Sequence, residues 1–211
     1  MPRTRPFETH PDRYESWFDR HWLAYQSELM AVRMLVPSPG EGIEIGAGTG
    51  RFAAPLGVRF GIEPALPMAR TAKDNGIDVL CGVGEKLPLR NERFDYVLLV
   101  TTLCFLDDPE RALLEIRRIL RPPGRVVLGF VDKDSALGKR YFENKAESLF
   151  YREAEFYSVQ DVLTLLDQTG FGSIATAQTL FSPLGEITRI ETARSGYGEG
   201  SFVVVRAEKI P

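Results

Sequence analysis

Two short and almost uninterrupted apolar runs restrict what this 211-residue chain can fold into. They are "DYVLLV" at 95–100 and "RVVLGFV" at 125–131. A strand that is apolar at nearly every position must be covered on both faces, which is typical of a parallel sheet enclosed between helices. Shorter runs rich in Val and Ile predict further strands, at 42–46, 59–63, 78–81, 173–181 and 201–207.

Helical segments separate these strands. In "DDPERALLEIRRILRPPG" (107–124), Asp108 suits a helix cap, Pro109 suits the first helical position, and Pro122–Gly124 are expected to end the helix. In "YSVQDVLTLLDQTGF" (157–171), Ser158 and Asp161 form a capping-box pattern. Strands that alternate with helices predict an α/β fold with right-handed crossovers.

The first 37 residues differ from the rest, because "RYESWFDRHWLAYQSELMAVRMLV" is both helical in pattern and rich in aromatic residues. One interpretation is a helix that packs over the sheet. The other is a cover over a ligand cleft. Aromatic residues at helical spacing are more often core residues, so packing is the preferred interpretation.

The composition excludes several classes of protein. A net charge of -3 and a pI of about 5.6 argue against a dedicated nucleic-acid binder, which needs a basic surface. Cys81 and Cys104 form no disulfide framework, and His10 and His21 have no zinc-ligand spacing. No apolar run has the roughly 20 residues of a membrane span, and no signal peptide is recognisable. We therefore expect a cytoplasmic protein without a metal and without a membrane partner.

The first predicted strand ends in the glycine-rich stretch "IEIGAGTGRF" (43–52). In an open parallel sheet, ligands bind beyond the carboxyl ends of the strands. A dinucleotide site needs Gly-x-Gly-x-x-Gly, and counted from Gly46 its last position is Arg51. Glu44 would also put an anion close to the pyrophosphate. A ligand with a positive end suits this loop better, and S-adenosylmethionine has an amino group, a sulfonium and no phosphate.

Several motifs in order resemble the class I S-adenosylmethionine-dependent methyltransferases of the methyltransferase-11 type. They are "IEIGAGTGRF", "FGIEPALPMARTA" (60–72) and the stretch from "GVGEKLPL" to "GRVVLG" (82–129). The resemblance covers about residues 40–131, and 158–171 more loosely. It implies a Rossmann-like, seven-stranded, mostly parallel sheet with helices on both faces and an antiparallel last strand.

The resemblance also implies a set of cofactor-binding residues. Gly46 and Gly48 would pass close to the methionine moiety, and Glu44 would organise the loop and meet the amino end directly or through water. Glu63 would accept hydrogen bonds from both ribose hydroxyls. The implied set is Glu44, Gly46, Ala47, Gly48, Gly50, Glu63, Pro64, Met68, Gly84, Glu85 and Thr101.

The remaining roles leave alternatives open. Pro64 to Met68 would lie along the adenine, although Met68 is equally well a core residue. Thr101 would face the carboxyl or sulfonium end of the cofactor, or would simply end a strand. Glu63 also has a simpler interpretation, as an acid at the end of a strand with no ligand. One departure from the family pattern is Val83, which stands where an aspartate often accepts from the adenine amino group. Adenine recognition would then rest on the backbone around Gly84 or on Glu85.

No residue is identified as catalytic, because methyl transfer from a sulfonium mainly needs alignment and exclusion of water. His10, Tyr14 and Tyr197 are candidate general bases, with surface or packing roles preferred for each. The segment 132–157 is expected to form a cover, with Tyr141, Phe142, Phe150 and Tyr151 as candidate pocket residues. The glycine-rich stretch 193–202 is either a hairpin turn or a lid.

The sequence therefore predicts one methyltransferase domain over 1–211, with a helical cap at 1–37 and a cover at 132–157. The expected activity is transfer of a methyl group from S-adenosylmethionine to a small-molecule acceptor, with no nucleic-acid partner. The alternative is a non-catalytic S-adenosylmethionine-binding protein that works through a partner. A nucleotide-dependent oxidoreductase is disfavoured by Arg51.

Overall fold

The structure is a computed structural model that describes residues 3–210. Within that range the strands form one eight-stranded sheet. The strands are β1 (Gly42–Ile45), β2 (Phe60–Ile62), β3 (Asp78–Leu80), β4 (Phe94–Val100), β5 (Leu120–Val131), β6 (Phe171–Thr179), β7 (Arg194–Ser195) and β8 (Phe202–Lys209). The helices are α1 (Arg5–Thr9), α2 (Pro11–Arg20), α3 (Trp22–Leu35), α4 (Ala53–Leu56), α5 (Leu66–Asp74), α6 (Pro109–Ile119), α7 (Ala136–Glu143) and α8 (Val159–Gln168).

The strand order is β3-β2-β1-β4-β5-β8-β6-β7. The first five strands in this order are parallel, whereas β8 runs antiparallel to both β5 and β6. The predicted α/β fold, with its mostly parallel sheet and antiparallel last strand, is confirmed. The structure adds β7, which pairs with β6 and has two residues. A strand of that length has no alternation that a sequence pattern can reveal.

Burial on both faces of the sheet explains the uninterrupted apolar runs. Along β4, Val97 and Leu99 join a core with α6 and α8, while Leu98 and Val100 join a second core with α3 and α5. All four side chains are at most 2% exposed. Strands covered by helices on both faces gain from apolar residues at every position, because each side chain leaves water whichever way it points.

The predicted end of α6 is wrong, although its start is confirmed. The Asp108 side chain accepts a hydrogen bond from the Arg111 backbone amide at 2.9 Å, and Pro109 is the first helical residue. The helix ends at Ile119, however, and Leu120 already pairs with Phe94 of β4. Residues 122–124 therefore lie inside β5 and do not end the helix. The pairing of a fully buried Leu120 takes the chain into the sheet before the prolines are reached.

The capping box that begins α8 is confirmed. The Asp161 backbone amide donates to the Ser158 hydroxyl at 3.1 Å, and the Ser158 amide donates to the Asp161 carboxylate at 2.9 Å. These paired bonds satisfy two of the amides that a helix start leaves without an intrahelical partner.

The strand order places a crevice between β1 and β4. The chain moves outward to β2 and β3 on one side of β1, and to β5 on the other side of β4. Such a reversal opens a space beyond the carboxyl ends of the two strands. At the other end of the sheet, α3 packs against β5, β6 and β8. No helix within residues 3–210 is long and apolar enough to cross a membrane.

Candidate functional site

A cavity of about 430 Å³ lies at the carboxyl ends of β1 and β4. Its floor comes from the end of β1, from the glycine loop that follows, and from the turn between β2 and α5. Its other walls come from α1 and α2, from the loop before α6, and from residues 147–151. The crevice set by the strand order is thus enclosed by segments far apart in the sequence.

The glycine loop has a backbone that side chains would not tolerate. Gly46 and Gly48 have φ angles of +70° and +55°, in the left-handed region that favours glycine. A Cβ atom at Gly46 would lie 2.4 Å from the Thr102 side chain, and one at Gly48 would lie 3.3 Å from the Tyr14 hydroxyl. The backbone of this loop therefore faces the cavity directly.

Glu63, the residue after β2, fixes the glycine loop against the next turn. Its two carboxylate oxygens accept hydrogen bonds from the backbone amides of Gly48 and Ala65, each at 2.8 Å. Its side chain also lines the cavity, although the residue is only 6% exposed. Burial raises the Glu63 pKa, and the two backbone hydrogen bonds lower it.

Glu44 lies within β1, beneath the loop, and is not one of the cavity-lining residues. It is 1% exposed, and its Oε2 atom has no hydrogen-bond partner within residues 3–210. Burial, with a smaller effect from Glu63, raises the Glu44 pKa to about 8, and a hydrogen bond from the Ala53 backbone acts in the opposite direction. From this position Glu44 can support the glycine loop but does not face the cavity.

The other predicted site residues divide into two groups. Ala47 and Gly50 face the sheet, since Ala47 lies against Gly61 and a Cβ atom at Gly50 would lie 3.0 Å from Ile77. These two residues support the loop and do not line the cavity. The predicted residues that do line it are Gly46, Gly48, Glu63, Pro64, Met68, Gly84, Glu85 and Thr101.

The departure from the family pattern that the sequence showed, Val83, is part of the cavity wall. Val83 lines the cavity beside Gly84. Glu85 is already engaged, because its Oε1 atom accepts hydrogen bonds from the backbone amides of Asp107 at 2.9 Å and Asp108 at 3.3 Å. Glu85 therefore connects this wall to the start of α6, and one of its oxygens is committed to that contact.

Aromatic side chains form the roof of the cavity. The Phe7 ring lies 5.2 Å from Phe150 and 5.0 Å from Phe105, measured between ring centroids. The N-terminal helices both pack over the sheet and face the cleft. Tyr14 lines the cavity, while Tyr25 is in the core. The aromatic residues of the wall are Phe7, Tyr14, Trp17, Phe18, Phe52, Phe105, Tyr141, Phe150 and Tyr151.

The prediction for Phe142 is wrong. Its side chain is 55% exposed and does not line the cavity, whereas Tyr141, one position earlier on α7, does. Neighbouring positions on a helix point in different directions, and the sequence did not reveal which face of α7 turns inward.

The candidate general bases are not supported by their surroundings. His10 is exposed, Tyr197 is 50% exposed, and neither lines the cavity. Tyr14 does line it, but burial raises its pKa far above the usual value, and the nearby Glu44 and Glu63 add to this effect. Its hydroxyl is therefore neutral at physiological pH and can serve as a hydrogen-bond donor.

The sequence interpretation overlooked Glu28. This residue, the only acid of α3, lines the cavity and is 4% exposed. Burial raises its pKa to about 8. The signal was present in "WLAYQSELMAVRML", where a single carboxylate interrupts the buried face of a helix.

The glycine-rich stretch 193–202 is not a hairpin turn, because β7 and β8 lie on either side of β6 and do not pair with each other; the stretch crosses the end of β6. It contains β7, and the backbone amides of Glu199 and Gly200 donate to the Gln178 side chain at 2.9 and 2.8 Å. No residue of this stretch lines the cavity. In the described part of the chain, no group of three His, Cys, Asp or Glu side chains is arranged to hold a metal ion.

Comparisons with known proteins agree with this geometry. A model of the methyltransferase domain family matches residues 43–128. A solved structure from Thermotoga maritima, described as an S-adenosylmethionine-dependent methyltransferase and possible histamine N-methyltransferase, is 48% identical with a TM-score of 0.96, covering 98% of this chain and 99% of that one. A Methanocaldococcus jannaschii protein of uncharacterized function is 40% identical over 97% of this chain and 98% of its own length.

The buried Glu44 carboxyl predicts a pH-dependent stability. Its pKa is raised from 4.5 to about 8, so between these pH values the folded chain keeps a proton that the unfolded chain releases. The free energy of unfolding therefore contains a contribution that falls as pH rises through this window, by at most about 1.4 kcal/mol per pH unit. Urea unfolding at pH 5 to 8 should show a flatter dependence for Glu44→Gln than for the wild type.

The matched control is Glu147→Gln, which removes the charge of an exposed residue on the cavity rim. This variant should keep the wild-type slope. Parallel curves for the wild type and Glu44→Gln would show that Glu44 is ionised in the folded chain.

Proposed function

The chain belongs to the S-adenosylmethionine-dependent methyltransferases, and we propose that its methyl acceptor is a small molecule bound under the aromatic roof of the cavity. The observation that supports this most directly is the size of the enclosed space. A volume of about 430 Å³ is near the lower end of the roughly 300–1,000 Å³ typical of small-molecule sites. Cofactor and acceptor must share it, which leaves little room for a macromolecular substrate to enter.

The cofactor is S-adenosylmethionine, and we propose that the glycine loop and the β2–α5 turn hold it. Gly46 and Gly48 leave the backbone open to the methionine moiety, while a Cβ atom would fill this space. Glu63 has carboxylate lone pairs left for ribose hydroxyls after its two backbone contacts. Pro64, Met68, Val83 and Gly84 offer opposite walls for the adenine, and Thr101 lies at the end of β4.

When bound, the cofactor supplies a methyl group on a sulfonium, which an aligned nucleophile displaces in line. The chain contributes alignment and a dry site. Its aromatic roof excludes water, and the Glu63 carboxyl on the cavity wall favours a positively charged ligand over a neutral one. No covalent attachment to the protein is required by this chemistry.

We also propose that the N-terminal helices and the segment 132–157 act as cap and cover of one methyltransferase domain. Ring contacts of Phe150 with Phe7 and Tyr14, at 5.2 and 6.2 Å, support a joint closure across the cavity. Hydrogen exchange with saturating S-adenosylhomocysteine should show new protection in α2 and in 147–151. The link between β7 and β8 at 193–200 should stay unchanged, because none of it lines the cavity. Protection limited to the glycine loop and the β2–α5 turn would contradict a closing cover.

The role of Glu63 predicts a loss of cofactor affinity on substitution. Charged hydrogen bonds contribute about 1.5–3 kcal/mol each, so Glu63→Ala should weaken binding of S-adenosylhomocysteine by at least about tenfold in calorimetry. Glu85→Ala, the control on the opposite wall, should have a smaller effect. Glu63→Gln keeps one acceptor oxygen and tests whether a weakened loop alone explains the loss. Equal affinity of the wild type and Glu63→Ala would show that the ribose lies elsewhere.

The acceptor proposal is tested by turnover. Purified enzyme and S-adenosylmethionine are incubated with a panel of small amines, phenols and carboxylic acids, and products are detected by mass spectrometry. Histamine belongs in the panel, because the Thermotoga relative is described as a possible histamine N-methyltransferase. We expect methyl transfer to at least one small molecule and a strong reduction with Glu63→Ala. Methylation of proteins or nucleic acids from a cell extract, with no small-molecule product, would contradict the proposal.

A further inference from the structure

The cavity contains a carboxyl group that the cofactor-binding motifs do not use. Glu28 is the only acid of α3 and is 4% exposed, yet it lines the cavity. No hydrogen bond or ion pair within residues 3–210 involves its carboxylate, and burial alone accounts for the rise of its pKa to about 8. Burying a carboxylate without a partner is costly, so such a group at a cavity wall indicates a ligand.

The surroundings of Glu28 include residues on two sides of the cavity. Its charge acts on Tyr141 and Tyr151, which belong to the segment after β5, as well as on Tyr14 and Tyr25. Its own helix packs against β5, β6 and β8, at the opposite end of the sheet from β2 and β3. Tyr14 and Tyr25 adjoin the glycine loop, since the Tyr25 hydroxyl donates to the Arg51 carbonyl. Glu28 therefore borders both the glycine loop and the segment after β5, which the cofactor-binding motifs do not include.

The groups around Glu28 are suited to a cation with an apolar body. Tyr141 and Tyr151 stack with their ring centroids 5.0 Å apart, and Trp17 also lines this part of the wall. Aromatic faces attract cations, most strongly where water is excluded. Three arginines line the cavity, Arg3, Arg13 and Arg20, and within residues 3–210 none of them forms an ion pair with Glu28. Arg3 contacts Asp107 and Glu155, and Arg20 donates to the Ser16 carbonyl.

We propose that Glu28 binds the ammonium group of an amine acceptor and takes its proton before methyl transfer. This rests on the proposed small-molecule function and specifies its substrate class. An ammonium supplies both the charge and the hydrogen-bond donors that the Glu28 carboxylate lacks. A neutral alcohol supplies no charge to offset ionisation of the Glu28 carboxyl, so it would leave that group protonated.

The proposed step balances in atoms and charge. The Glu28 carboxylate removes one proton from the ammonium, which leaves a neutral amine with a free lone pair. That lone pair forms the new N–C bond while the C–S bond of the cofactor breaks and its electron pair stays on sulfur. The products are a methylated ammonium, a neutral thioether and a protonated Glu28, which returns its proton to solvent. A base with a pKa near the working pH suits this exchange.

Binding of simple probes to the enzyme saturated with S-adenosylhomocysteine tests the proposal without turnover. The probes are 2-phenylethylamine and its neutral counterpart 2-phenylethanol. Calorimetry should show that the wild type prefers the amine by about tenfold or more, and that Glu28→Gln loses this preference. Glu143→Gln, which changes an exposed acid at the end of α7 that does not line the cavity, is the control and should keep it.

The number of protons released on amine binding gives a second readout, which a merely structural role of Glu28 would not change. Near pH 7 the Glu28 carboxyl is largely protonated in the free site, so the ammonium should displace its proton on binding. Amine titrations in two buffers of different ionisation enthalpy should show proton release with the wild type and less with Glu28→Gln. The tyrosines facing Glu28 all have raised pKa values and stay neutral, so they contribute no proton.

The outcomes separate this inference from the proposed function. Equal affinity for both probes, or binding of neither, would overturn the role of Glu28, and so would a preference that persists in Glu28→Gln. A loss of S-adenosylhomocysteine affinity in Glu28→Gln as large as that in Glu63→Ala would place Glu28 on the cofactor instead. The small-molecule function fails by a different result, the absence of any small-molecule product in the acceptor panel.

Discussion

The site depends on one side chain that joins two loops. The Glu63 carboxylate accepts hydrogen bonds from the backbone amides of Gly48 and Ala65. It therefore holds the glycine loop and the β2–α5 turn together. The amides of Gly46 and Ala47 both donate to Ile62, and the Thr102 hydroxyl donates to Gly46 at 3.3 Å, so β2 and β4 hold the same loop from two sides. The shape of the cavity floor therefore depends on the backbone of β2 and on the Glu63 and Thr102 side chains.

The electrostatics of the cavity follow from what is buried there. Glu28, Glu44 and Glu63 are each at most 6% exposed, and burial raises the pKa of each. The arginines of the wall lie toward the rim, where Arg13 and Arg20 are exposed. A site of this kind has a low cost for a cation and a high cost for an anion in its interior. A cavity that favours cations suits a sulfonium cofactor. The loop agrees with this, because Arg51 stands where a dinucleotide-binding loop has its last glycine.

Features that depend on neighbouring residues in the sequence were predicted correctly, whereas features that depend on the direction of side chains or on distant pairing were missed. The strands and the capping box of α8 follow from patterns of neighbouring residues, and the sheet confirms them. The end of α6 was wrong because pairing of Leu120 with Phe94 joins distant residues. The prediction that Phe142 lines the cavity was wrong because packing determines which face of α7 points inward. Glu28 was overlooked because no motif contains it, although an isolated acid on a buried helix face was a usable signal. The roles of the cofactor-binding residues remain predictions.

The two halves of the cavity are built in different ways, and this has a consequence for specificity. Hydrogen bonds to the loop backbone and glycines form the half that we propose for the cofactor, so few substitutions there leave the loop intact. Side chains from the N-terminal helices and from the segment after β5 form the other half, and they meet through contacts such as Phe7 with Phe150. Those segments lie outside the matched family region at 43–128. With the role proposed for Glu28, a chain of this family can change its acceptor by substitutions in that other half, because the hydrogen bonds of Glu63 to Gly48 and Ala65 do not involve it.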